Sequence, residues 1–226
     1  MNQRLGRQTL RGIGLTVGAS IVTSCAGLLS QVVLGRYLSK ESFAVYAIAL
    51  SWATFAIALR SAGAQQILIR SGPRFMEDAA PMAGIARVIN LALFASLGFI
   101  GVAISAYRSD WMIVALMICI GLYLPLGTYS PIFLAKLAVD SRFGEIARIN
   151  SVSAIARSVA AIVFAVLGLG AASLALPFVV VAAVEWLMGK RATALVVHSR
   201  APTPAERRNI FGQSKWIMFG RSRQHS

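Results

Sequence analysis

Residues 12–35 carry no charged side chain, and a helix of that length crosses the ~30 Å hydrocarbon core of a bilayer with residues to spare. Residues 42–59, 88–107 and 111–135 are equally free of charge. Across 149–184 the only charge is Arg157, and Gly168, Leu169 and Gly170 fall where a tight turn divides the stretch in two. A transmembrane barrel would instead show alternating segments of about ten residues, and none is visible. The pattern predicts an all-α polytopic membrane protein, a bundle of six transmembrane helices.

Composition agrees: 57% of the 226 residues are hydrophobic and 13% are charged, whereas soluble proteins carry roughly a quarter charged residues. The net charge of +14 suggests nucleic acid only until the basic residues are assigned to loops. With the N-terminus inside, three of the 22 Lys and Arg precede the first span, four lie in 60–87, three in 136–148 and eight after Gly189. Arg36, Lys40 and Arg108 lie outside. This is the positive-inside asymmetry of an inner-membrane protein with both termini cytoplasmic. No nucleic-acid partner is needed, and anionic phospholipids suffice to answer the basic face.

Arg4, Arg7 and Arg11 precede an apolar run too long for a signal peptide. Cys25 and Cys119 both fall within spans, without charged or histidine neighbours, so neither a disulfide framework nor a metal site is implied. His198 and His225 lie in the tail, and no carboxylate pair is placed for acid and base catalysis. Adjacent Glu77 and Asp78 read as a solvated loop. No catalytic residue, metal or cofactor is expected, and a coupling ion stays unspecified.

Three segments are expected: a basic cytoplasmic N-terminus (1–11), a six-helix lobe (12–188), and a basic cytoplasmic tail with the interrupted start of a second lobe (189–226). Pro125 and Pro131 in the fourth span and Pro177 in the sixth predict kinks or freed carbonyls. Tyr37 and Tyr46, then Tyr107 and Trp111, flank the first two external turns as an interfacial belt would.

The stretch GRYLSKESFAVYAIALSWATFAIALRSAGAQQILIR (35–70), with Arg36, Phe43 and Tyr46, resembles the first helical hairpin of polysaccharide-biosynthesis flippases of the multidrug/oligosaccharidyl-lipid/polysaccharide exporter superfamily. Residues 125–176, with Arg142, Phe143, Gly168 and Gly170, are similar to that family's fourth to sixth helices. The resemblance implies a transporter of undecaprenyl-diphosphate-linked sugars working by alternating access between two six-helix lobes, of which this chain is one. Partners would then be a lipid-linked glycan and a second lobe or another copy. At the end of the second helix, where relatives often carry an acid, this chain has Arg60. Two other classes stay open: a non-transporting membrane scaffold from a shortened gene, and a drug exporter of the same superfamily. Arg157, with only Glu185 as an intramembrane acid, argues against cationic cargo.

Within that reading Arg157 is the principal candidate for substrate binding. A guanidinium at mid-depth costs from ~3 to above 10 kcal/mol facing lipid, so it should face protein, water or a ligand phosphate. Asn150, Ala154, Arg157 and Ala161 share one helical face. The alternatives are an ion pair with Glu185, whose depth across the hairpin is similar, and snorkelling. Thr16, Ser20, Thr23, Gly27 and Ser30, with Gln31 alongside, form a small polar stripe on the first span. It either hydrogen-bonds a glycan or, like Gly14 and Gly18, permits close helix packing. Arg36 and Arg60, at helix ends, either reach substrate or snorkel.

Overall fold

Hydrocarbon offers no partner for a backbone N–H or C=O, so runs this apolar must satisfy their own backbone, and helix is how one segment does so. The computed structural model describes residues 2–60, 64–72, 75–108, 110–195, 200 and 203. Its helices are α1 (Asn2–Tyr37), α2 (Lys40–Arg60), α3 (Ala64–Ser71), α4 (Phe75–Arg108), α5 (Met112–Gly121), α6 (Tyr123–Leu126), α7 (Ser130–Val139), α8 (Phe143–Val166) and α9 (Ala172–Thr193). Among the described residues, Lys40–Leu59, Phe75–Arg108, Met112–Val139, Phe143–Val166 and Ala172–Thr193 are long and apolar enough to cross a membrane. The first charge-free run lies within the 36 residues of α1. This is an all-α, multi-pass membrane bundle. The expected second-lobe approach beyond residue 203 lies outside the described residues.

The fourth span breaks where its prolines predict, into α5, α6 and α7. The Thr128 hydroxyl donates back into the preceding turn at the break, with Pro125 O at 2.9 Å and Leu124 O at 3.2 Å. Buried Asn90 on α4 donates to the same hydroxyl at 3.0 Å, which ties the break to its neighbour. Pro177 lies inside α9, which continues through it. At the α8–α9 turn Gly168 and Gly170 adopt φ of +78° and +54°, conformations that an L side chain enters only with strain.

Two expectations are corrected. Glu77 and Asp78 do not lie in a loop: they fall in the first turn of α4, where Phe75, Ala79 and Met82 are buried with Ile67 and Leu68 of α3 and Phe133 of α7. Glu77 and Asp78 therefore open a helix, where negative charge meets the positive end of the dipole. Tyr46 is not an interfacial residue either. Six residues into α2, it is 8% exposed, while Tyr37, Tyr107 and Trp111 stand out at 60%, 92% and 73%.

The packing of the first hairpin positions the site. α1 lies along α8, which lies along α9, whereas α2 packs on α4 and α5. A two-residue turn at Leu38 and Ser39 joins α1 to α2, and Ser39 Oγ accepts the Ser42 N–H at 3.2 Å to start α2. From that turn the two helices diverge, and the space between them is a cleft.

Glycines divide by role. Among the described residues, a Cβ added at Gly14, Gly18 or Gly27 meets nothing within 4 Å, so none of the three serves close packing against them. At Gly189 an added Cβ would lie 2.6 Å from Phe133 Cδ2 and 2.9 Å from Phe133 Cβ. Gly189→Ala is expected to destabilise the bundle by about 1–3 kcal/mol through overpacking of α7 on α9. Gly18→Ala should be neutral or stabilising, because alanine is the better helix former. Thermal unfolding of both variants in detergent checks the contrast.

Candidate functional site

α8 presents two faces. Val152, Ile155, Val159, Val163 and Val166 recur at three and four residues and are exposed, forming an apolar stripe suited to lipid. Arg157 lies two positions from Ile155 and from Val159, about 200° around the helix from either, and so faces the other way. It shares that face with Asn150, seven residues away. Ser158 turns toward α1, donating to Ala26 O at 3.0 Å.

The opposite face of α8 fronts the cleft, in two connected compartments. The first, about 650 Å³, is lined by Ser20 and Thr23 of α1, Tyr123 of α6, Asn150 and Arg157 of α8 and Glu185 of α9, among others. The second, about 460 Å³, lies toward the α1–α2 turn and includes Ser30, Gln31, Leu34, Phe43 and Tyr46. Thr23, Leu50, Ala154 and Arg157 line both, so the guanidinium stands where the compartments meet.

Aromatic side chains flank Arg157. Its guanidinium carbon sits 4.4 Å from the centre of the Phe178 ring, a cation–π contact with α9. Tyr46 of α2 lines the smaller compartment together with the guanidinium. Neither ring cancels the charge. Among the described residues, direct ion pairs join Lys136 to Asp140 and Arg142 to Glu145. The Arg157–Glu185 ion pair, the alternative reading, is not formed, and the reason is register. Phe178 is the α9 residue level with Arg157, and Glu185 lies seven residues further, about 10 Å along the helix. There its carboxylate accepts Ser130 Oγ at 2.8 Å and Tyr123 OH at 3.3 Å, one hydroxyl from each side of the break in the fourth span.

Of the residues singled out in the sequence, Arg157, Asn150, Ser20, Thr23 and Gln31 come together around the cleft. Arg36 is exposed in the last turn of α1 and lines neither compartment. The side chains of Thr16 and Arg60 lie outside the described residues. Of the polar stripe of α1, Ser20, Thr23, Gly27 and Ser30 line the cleft, on a helix that packs along α8. Sequence reasoning missed Tyr46, Tyr123, Phe178 and Ser153. The two tyrosines carried a usable signal, since a phenol inside an apolar span needs a polar partner.

The sequence matches the family described as "Polysaccharide biosynthesis protein" over residues 9–222. The chain belongs to the polysaccharide biosynthesis protein family. No match was found among curated proteins. A solved structure described as the outward-facing conformation of a multidrug resistance MATE family transporter of the MOP superfamily is similar in fold, with a TM-score of 0.56 at 20% identity. The match covers 92% of this chain and 52% of that one, so the chain spans about half the length of that transporter. The family match takes in α8 and the whole cleft.

The two faces of α8 make a direct prediction. With Cys25 and Cys119 replaced, single cysteines at Ser20 and Asn150 are expected to react with a water-soluble maleimide in membranes. A cysteine at Val159 should stay unreactive.

Proposed function

We propose that this chain is a lobe of a lipid-linked oligosaccharide flippase, moving undecaprenyl-diphosphate-linked sugars across the bacterial inner membrane by alternating access. One observation carries the reading: a guanidinium midway along a membrane-spanning helix, turned away from the lipid stripe into a hydroxyl-lined cleft, with aromatic rather than carboxylate partners. A diphosphate is suited to such a site, because a planar guanidinium grips phosphate oxygens in bidentate fashion. Family membership supports a glycan as the cargo. The polyprenyl tail would stay in the bilayer while the cleft shields the phosphates and sugar.

Asn150 and Arg157 are exposed in the isolated lobe, and the chain has half the length of the transporter it resembles in fold. We therefore read the open side of the cleft as covered by a second lobe, either another copy or a separate six-helix unit. Exposed polar groups at membrane depth favour that covering. Anionic phospholipids are the partners proposed for the basic end of the bundle. Lys190 and Arg191 close α9 there, and Arg142 donates to Ala192 O at 2.7 Å.

Binding of undecaprenyl diphosphate to the chain in nanodiscs tests the assignment. Arg157→Ala is expected to weaken binding about 10- to 100-fold, the worth of a charge-assisted hydrogen bond, and Arg157→Lys to restore it only in part. Unchanged affinity in Arg157→Ala would overturn the proposal. Single cysteines at Lys40 and Thr203 test the orientation: only the first should label from the periplasm.

A further inference from the structure

The larger compartment holds polar groups that a diphosphate at Arg157 does not use. Counting along the antiparallel helices from the level shared by Arg157 and Phe178, Asn150 and Glu185 are each seven residues away toward the same end. They stand on one level, about 10 Å along the helix axis from the level of Arg157 and Phe178. Between lies Ser153 on α8, which is 5% exposed, lines this compartment, and has a buried hydroxyl oxygen with no hydrogen-bond partner. Buried hydroxyls are normally satisfied, and an orphan facing a cavity points to a ligand that completes it. Tyr123 and Phe178 add aromatic walls, their rings 6.1 Å apart in a T-shaped pair.

An amide, an unpaired hydroxyl, a carboxylate and aromatic rings lining one compartment suit a ring bearing many hydroxyls. Glu185 uses part of its accepting capacity on Ser130 and Tyr123, and a carboxylate has about four lone-pair sites, so it can still accept from a ligand. That same carboxylate repels a ligand carboxylate placed beside it. The smaller compartment offers an amide in Gln31 and hydroxyls in Ser30 and Tyr46, but its lining holds no carboxylate among the described residues.

We propose that Glu185, Asn150 and Ser153 form a sugar subsite that selects against acidic sugars at the position nearest the diphosphate. The inference rests on the diphosphate reading of Arg157 and adds the class of sugar attached. Glu185 acts as both acceptor for sugar hydroxyls and filter against negative charge, a use of repulsion for specificity.

The test measures binding of the full chain in nanodiscs to three probes: undecaprenyl diphosphate alone, the same lipid bearing a neutral hexose, and the same lipid bearing a uronic acid. The neutral-sugar lipid is expected to bind about tenfold tighter than the uronic one. Glu185→Gln, which keeps an acceptor for Ser130 and Tyr123, should bring the two sugars close to parity. Ser153→Ala should weaken the neutral-sugar lipid and leave the sugar-free lipid unchanged. Equal affinity for both sugars in the unmodified chain overturns the subsite without any variant, and so does discrimination that persists in Glu185→Gln. If none of the three lipids binds, the diphosphate reading itself falls and takes the subsite with it.

Discussion

A guanidinium at mid-membrane must be turned away from the acyl chains, and that single constraint orders the bundle around α8. Facing lipid, Arg157 would cost from ~3 to above 10 kcal/mol. The sequence avoids this by giving α8 valines and an isoleucine on one side and Asn150, Ser153 and Arg157 on the other. What receives the charge is a cleft lined by hydroxyls, with a phenyl ring against it and a phenol in the same lining. An adjacent carboxylate would have neutralised it. The placement of Glu185 two turns away leaves positive charge available inside the membrane.

The cleft itself follows from how helices choose partners. α1 is held on α8, in part by the Ser158 hydroxyl, while α2 goes to α4 and α5. The broken fourth span then contributes Tyr123 and Ser130, which hold the Glu185 carboxylate from either side of the break. At the break the Thr128 hydroxyl donates to the Pro125 carbonyl and accepts from the Asn90 amide. The broken span thus brings hydroxyls to membrane depth.

Much of this was legible in the sequence because the bilayer imposes lengths and periods. Charge-free runs marked the spans, Pro125 and Pro131 marked the break, and Gly168 and Gly170 marked the last turn. Arg157 identified itself as the expensive residue. Its partners did not: the choice between Phe178 and Glu185 depends on a rise of a few residues across a hairpin, finer than counting from a turn resolves. Tyr46 was misread as an interfacial aromatic, since proximity to a turn says nothing about which way a side chain faces. The first turn of α4 was hidden by Glu77 and Asp78, although Phe75, Ala79 and Met82 already carried the spacing of a buried face. Gly14 and Gly18 had the spacing of a packing motif, but packing depends on what lies opposite, and among the described residues nothing does.

The central claim, that the polar face of α8 is the surface a lipid-linked glycan touches, is tested most directly by photo-crosslinking. A polyprenyl-diphosphate sugar carrying a small photoreactive group beside the phosphates would be irradiated with the chain in nanodiscs, and the adducts mapped by mass spectrometry. The account predicts adducts on Ser20 and Thr23 of α1, Asn150 and Ala154 of α8 and Tyr46 of α2. Adducts confined to Ile155, Val159 and Val163, on the apolar stripe, would contradict it.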